Sequence, residues 1–379
     1  MRPCTPALVL SGGGARGAYQ VGVLRQIARQ HPELSFPVIT GVSAGAINAT
    51  FIASHAGELT DATDELTELW SELSTSRVMR SDIPSLLSNA LRIAGNVVSG
   101  GSRIAPPVRG LVDTAPLRRI LTSVIDSRTI QAKIDAGRLE ALAVSATSYR
   151  TGDSVTFVQG RPELEMWSRF RRHARAERVT VDHVMASAAI PLFFPGCEVD
   201  GEYFGDGSLR QTYPLSPAIH LGADRVLAIS SRFANVSQTG EAEDAYPTAA
   251  RVLGLMLNSI FLDHLDADAE RLERVNQLLQ RVDPKHRWLV PEREVDLLVI
   301  RPSLDMARIA AGYERQMPRT LRYLIRGLGT RRGSGADLLS YLLFEPQFLS
   351  ELIELGERDA KLNRVRISRF VEGCAPAAV

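Results

Sequence analysis

Within its first 54 residues the chain twice runs from a short apolar stretch through a glycine-flanked turn into a helical pattern. Ala7 to Leu10 ends in Ser11-Gly12-Gly13-Gly14-Ala15-Arg16-Gly17. Residues 17–30 then place Ala18, Val21, Val23, Leu24 and Ile27 at helical spacing. Phe36 to Thr40 ends in Gly41-Val42-Ser43-Ala44-Gly45, and Ala44 to Ser54 reads as a helix of small residues. Strand, helix, strand, helix with turns this tight admits few topologies: the strands lie parallel in one sheet and the helices cover its faces. Ala141–Ala146, Val155–Val158, Val226–Ser230 and Leu297–Ile300 are further strand candidates, so strands recur along most of the chain. The expectation is a single α/β fold with insertions.

Two stretches interrupt this pattern. Residues 80–116 are rich in Ser, Gly and Pro around a short amphipathic piece, Leu86–Val98, and read as a loop or lid; residues 232–248 read as a polar surface loop. From Ala249 onward the chain is mainly helical. It carries an Arg-rich segment, 301–332, with eight Arg against Asp305 and Glu314, and an amphipathic segment near 338–360. The Arg set suits either a solvated helix face or anionic headgroups. The division expected is a catalytic region over 1–235 and a helical region over 236–379 packed on the same core.

Charge narrows the function. Lys and Arg number 44 against 43 Asp and Glu, so there is no overall field to hold nucleic acid. Three cysteines, Cys4, Cys197 and Cys374, are too few and too scattered for a disulfide framework or a zinc site, and no metal or cofactor is expected. The longest stretch without a charged residue, Leu34 to Gly57, is broken by Pro37, Gly41, Ser43, Gly45 and Asn48 and does not read as a membrane span. No leader peptide is read from the first residues. The expected location is the cytoplasm, with visits to the inner membrane face; a homo-oligomer is left open.

Three motifs can carry chemistry. Gly12, Gly14 and Gly17 match G-x-G-x-x-G between a strand and a helix, where bare backbone amides and the helix terminus favour an anion. A dinucleotide site also wants an acidic residue at the end of the next strand, and that strand runs into Gly41-Val42-Ser43 instead. The loop therefore suits another anion, an oxyanion included, or a plain tight turn. Ser43, between Gly41 and Gly45 at a strand-to-helix turn, fits a nucleophile elbow or an ordinary helix N-cap. Asp206 stands between Gly205 and Gly207, exposed as a base or merely part of an Asp-Gly turn such as Asp200-Gly201, itself expected to be a hairpin. None of the seven histidines sits in a glycine-flanked turn; His264 and His286 are the two weighed as partners for Ser43.

Taken together and in this order, these motifs make the chain resemble the patatin-like phospholipases, over roughly residues 5–235. The resemblance implies a three-layer α/β/α sandwich with a mainly parallel central sheet and a helical C-terminal extension. It implies a Ser43–Asp206 dyad without histidine, acting on phospholipid, lysophospholipid or another fatty-acyl ester through an acyl-enzyme. The oxyanion loop would be Gly12, Gly13, Gly14, Arg16 and Gly17, the elbow glycines Gly41 and Gly45, and the Asp-Gly motif Gly207 and Ser208. Arg16 would order the loop, add positive potential or form a structural salt bridge. Ala186 to Pro195 would line an acyl slot or simply pack a helix end. Two positions depart from the family pattern: Ser208 stands where Gly or Ala is usual, and Thr212 precedes Pro214 where an Asn is usual. A non-catalytic scaffold and a nucleotide-binding module remain as alternatives.

Overall fold

The computed structural model describes residues 4–80, 110–233, 247–329 and 335–374. Ten strands form one sheet: β1 (Pro6–Leu10), β2 (Val38–Val42), β3 (Ala141–Ser148), β4 (Ser154–Gly160), β5 (Ser168–Arg169), β6 (Arg172–Ala176), β7 (Cys197–Val199), β8 (Glu202–Asp206), β9 (Arg225–Ile229) and β10 (Asp296–Ile300). The order along the main path is β10-β9-β1-β2-β3-β4-β6-β5, and β10 through β3 are all parallel.

Side chains alternate across this sheet as the pleat requires. Leu8, Leu10 and Ile39 face one core, with α1 (Gly17–Gln30), α2 (Ala44–Ser54) and α3 (Leu59–Ser71) above them. Ala7, Val9, Val38, Ala141 and Ala143 face a second core, closed by the helices Ser216–His220 and Asp263–Gln280. The result is a three-layer α/β/α sandwich. C-terminal elements are built into it: β10 extends the sheet, and helix Pro346–Leu362 lies along α1, where the Tyr19 hydroxyl donates to Asp359 at 3.1 Å.

Register explains where a site can form. Leu10 pairs with Gly41 on one side and Ile229 on the other, so the loops leaving β1, β2 and β9 emerge together at the carboxyl edge. The chain moves from β1 to β2 in one direction while β9 lies in the other, which opens a crevice at that edge. A second arrangement brings in a distant residue. β2 pairs with β3 only as far as Val42 opposite Ser145, and β4 occupies the other side of β3. Antiparallel β8 takes the place β2 vacates, with Asp206 opposite Ala146. The carboxyl ends of β2 and β8 therefore meet head to head.

The expected strand Phe36–Thr40 is instead Val38–Val42, because Gly41 and Val42 still pair with β3 and the turn falls entirely at Ser43. The expected hairpin is present: Asp200 and Gly201 lie between β7 and β8 with φ of 48° and 76°, the left-handed pair a two-residue turn demands. Strands β5 and β6 were not readable, since Arg172-His173-Ala174-Arg175-Ala176 is half-buried without apolar alternation and the edge strand beyond it, Ser168–Arg169, is only two residues long. The amphipathic piece 86–98, residues 81–109 of the segment read as a lid, and residues 234–246 of the polar loop lie outside the described residues. Among the described residues no helix is long and apolar enough to cross a membrane.

Candidate active site

Ser43 sits between β2 and α2 with φ 56° and ψ −128°, a conformation that costs a non-glycine residue strain. Its neighbours force the turn. A Cβ on Gly45 would overlap the Leu10 carbonyl oxygen, and one on Gly41 would overlap that of Gly45. The Ser43 amide donates to Ser187 Oγ at 2.9 Å, and Ser187 in turn donates to the Ser145 carbonyl at 2.7 Å, which ties the elbow to β3. Gly45→Ala is therefore expected to leave the chain insoluble, because the Leu10 and Ser11 carbonyl oxygens stand where the new methyl would go; soluble protein with native thermal stability would contradict this packing.

The Ser43 hydroxyl does not cap α2, although Ser43 holds the N-cap position. It donates to Asp206 Oδ2 at 2.7 Å, across 163 residues of sequence. His264 and His286 are not its partners. Asp206 is fully buried, and burial pushes its carboxyl up to about 7, against Ser43, the Ser208 amide (2.9 Å to Oδ1) and the nearby Ser208 hydroxyl, all of which favour the charged form. The Asp206 carbonyl accepts from Thr147 Oγ1 at 2.8 Å, and its amide donates to Ala189. Support for this turn thus comes from Thr147 on β3. Position 212, where the family pattern is broken, contributes only a local bond to the Arg210 carbonyl.

The glycine loop passes directly over Ser43. A Cβ on Gly12 would stand 3.1 Å from Ser43 Cβ and 2.6 Å from Ser208 Oγ. Gly14 adopts φ 55°, and its open side is filled by the Tyr341 backbone. Among the described residues nothing accepts from the amides of Gly12, Gly13 or Gly14, nor from Ala44 and Gly45 at the start of α2. Free amides beside a nucleophile, with the positive end of α2 behind them, are what a developing oxyanion needs.

Arg16 turns away from this corner. It is buried, its Nε donates to Ser340 Oγ at 2.8 Å, its guanidinium meets Asp337 at 3.3 Å and lies 4.3 Å from the centre of the Tyr341 ring. Of the readings open for Arg16, the geometry is that of a salt bridge that anchors the loop to helix Ala336–Leu342. The loop's other end is held by a buried network that the sequence did not announce. Gln20 Nε2 donates to the Ser11 carbonyl at 2.7 Å, Asn48 Nδ2 to the Gly17 carbonyl at 3.1 Å, and Trp70 Nε1 to Asn48 Oδ1 at 2.8 Å. Asn48, a lone amide inside the apolar helix 44–54, was the one signal for it.

Beside Ser43 lies a narrow apolar slot with about 30 Å³ of free space, lined among others by Leu73, Leu117, Leu121, Ala188, Ile190 and Phe194. The Ala186–Pro195 segment thus supplies three of its walls. Among the described residues no group of three or more His, Cys, Asp or Glu side chains is placed to hold a metal ion.

A family model described as patatin-like phospholipase matches residues 8–219, more than half of the chain. The chain belongs to the patatin-like phospholipase family. An uncharacterized NTE family protein of Mycobacterium tuberculosis is 27% identical over 255 residues, 67% of this chain and 56% of that protein. A cGAMP-activated phospholipase of Pseudomonas aeruginosa is 28% identical over 223 residues, 58% of this chain and 56% of that protein. The chain thus spans little more than half the length of these curated relatives. Among solved structures, human GIVD cytosolic phospholipase A2 overlays 98% of this chain and 60% of its own, with a TM-score of 0.46 at 11% identity. The type III effector ExoU overlays 94% and 54%, with a TM-score of 0.33 at 15% identity.

Proposed function

We propose that the chain is a lipid acyl hydrolase of phospholipase A or lysophospholipase type. Ser43 attacks the ester carbonyl of a phospholipid, lysophospholipid or similar fatty-acyl ester, and Asp206 takes its proton. The amides of Gly12, Gly13 and Gly14 receive the oxyanion, the alcohol leaves with the proton from Asp206, and water releases the fatty acid from Ser43. One observation carries this reading: the 2.7 Å hydrogen bond from Ser43 to a carboxylate that burial has made basic. An ordinary Asp, at about 3.9, is a weak base for a hydroxyl; one at about 7 is matched to neutral pH.

The apolar slot is the acyl-chain site in this reading, and its small free volume means that side chains such as Leu117 and Phe194 must shift as a chain enters. Family membership and the phospholipase activity in the name of one relative support a lipid ester as substrate. We place the reaction at a membrane surface, where such esters are found. The nucleotide alternative is disfavoured by the missing acid after β2 and by the Tyr341 backbone against Gly14. Purified protein given mixed phospholipid and lysophospholipid vesicles is expected to release free fatty acid, and to do so equally with EDTA. Absence of fatty acid from every lipid would refute the proposed activity; loss in EDTA restored by Ca²⁺ would refute a metal-independent dyad.

A further inference from the structure

Ser208 departs from the family's usual Gly or Ala, and the structure places its hydroxyl at the most sensitive corner of the site. The residue is buried, and its amide is already spent on Asp206 Oδ1. Its Oγ makes no well-aligned hydrogen bond among the described residues, although it lies close enough to the Asp206 carboxyl to favour its charged form. A buried hydroxyl without a well-formed bond is a cost to the fold, and it leaves Oγ able to engage a group that arrives with the reaction. Four groups stand around it: the Gly12 backbone, on which a Cβ would come within 2.6 Å of the oxygen, the Phe261 ring and Ser43 Cβ, which that same Cβ would meet at 2.8 and 3.1 Å, and the Asp206 carboxylate.

We infer that Ser208 Oγ holds the water that hydrolyses the acyl-enzyme. This rests on the reaction proposed above and assigns a role to a residue which that reaction, as written, does not use. Once Ser43 is acylated its oxygen carries no proton, so Asp206 Oδ2 loses its donor and becomes free to accept from water. That water gives one hydrogen to Asp206 Oδ2 and the other, as a hydrogen bond, to Ser208 Oγ, which turns a lone pair toward the acyl carbon. The water oxygen bonds to that carbon while the carbonyl electron pair moves onto the oxygen facing the loop amides. Collapse of the adduct breaks the bond to Ser43 Oγ, which takes the proton back from Asp206, and the fatty acid departs. In acylation there is no such water for Ser208 Oγ to hold.

The test separates the two half-reactions. Wild type, Ser208→Ala and Ser43→Ala are mixed with p-nitrophenyl butyrate in a stopped-flow instrument, and the butyrylated protein is then desalted rapidly and followed by intact mass. For Ser208→Ala the first-turnover release of nitrophenol is expected to stay within about twofold of wild type, while the butyryl adduct disappears about tenfold more slowly, the rate equivalent of one ordinary hydrogen bond. Ser208→Thr, which keeps the hydroxyl, is expected to recover most of the loss. An adduct lifetime equal to that of wild type would overturn the inference. So would a first turnover slowed as much as the decay, which would put the hydroxyl at the oxyanion instead. If Ser43→Ala turns over like wild type, the proposed reaction itself fails, and with it any role for Ser208.

Discussion

Asp206→Asn is expected to abolish ester hydrolysis and, at the same time, to make the protein more stable. The loss follows from removing the base, worth on the order of 10²–10⁴ in rate. The gain follows from linkage. The native carboxyl titrates at about 7, whereas in the unfolded chain it titrates near the ordinary 3.8. Below about pH 4 both states hold the proton and Asp206 costs nothing. Between about 4 and 7 the unfolded chain ionises while the native protein does not, so stability falls as pH rises. Above 7 the full cost is present, on the order of 4 kcal/mol. Asn cannot ionise, yet keeps an oxygen to accept from Ser43 or from the Ser208 amide. Thermal unfolding of the variant should therefore lie a few degrees above wild type at pH 8, and the difference should shrink toward pH 4. In the wild type, kcat/KM should rise about tenfold per pH unit up to a midpoint near 7. A variant less stable than wild type at pH 8 would show that Asp206 is a structural ion rather than a buried base.

Ser43→Ala carries the largest expected loss, on the order of 10⁴-fold or more, because no other group can form the acyl intermediate. Its fold should survive. The Ser43 hydroxyl caps nothing, and the amide that ties the elbow to Ser187 is unaffected by the change. Taking the hydroxyl away also leaves Asp206 Oδ2 without its donor, so burial should raise the Asp206 carboxyl further. The signature is thus a native-like melting curve with no fatty acid released from vesicles. Residual activity within tenfold of wild type would assign the chemistry to another residue.

Glycine made the site readable. Gly41, Gly45 and Gly207 each stand where a Cβ would run into backbone, so the sequence had to carry glycine next to the nucleophile and next to the acid. In the loop at Gly12 to Gly17 only Gly14 faces backbone in this way, and a Cβ on Gly12, Gly13 or Gly17 would meet close-packed side chains instead. What joins these motifs was not readable, because it depends on pairing between distant segments. β8 is a short strand of a hairpin, and nothing local says that it takes over the edge of β3 where β2 stops. Arg16 finds Ser340 across 324 residues, which turns it from the site to a helix near the other end of the chain. Ser187 and Thr147 look like ordinary small residues in a helix and a strand; only the fold makes one the acceptor of the elbow amide and the other the clamp on Asp206. The parallel core was readable for the opposite reason. Its strands are buried on both faces, so they appear as short, mostly apolar runs rather than alternating ones.

The most direct measurement is covalent capture. Wild-type protein treated with an alkyl fluorophosphonate and digested for peptide mass spectrometry should carry a single adduct, on Ser43, formed faster as pH rises through 7. Asp206→Asn should label slowly or not at all. An adduct on any other residue, or labelling of Asp206→Asn at the wild-type rate, would contradict a hydroxyl activated by that carboxylate.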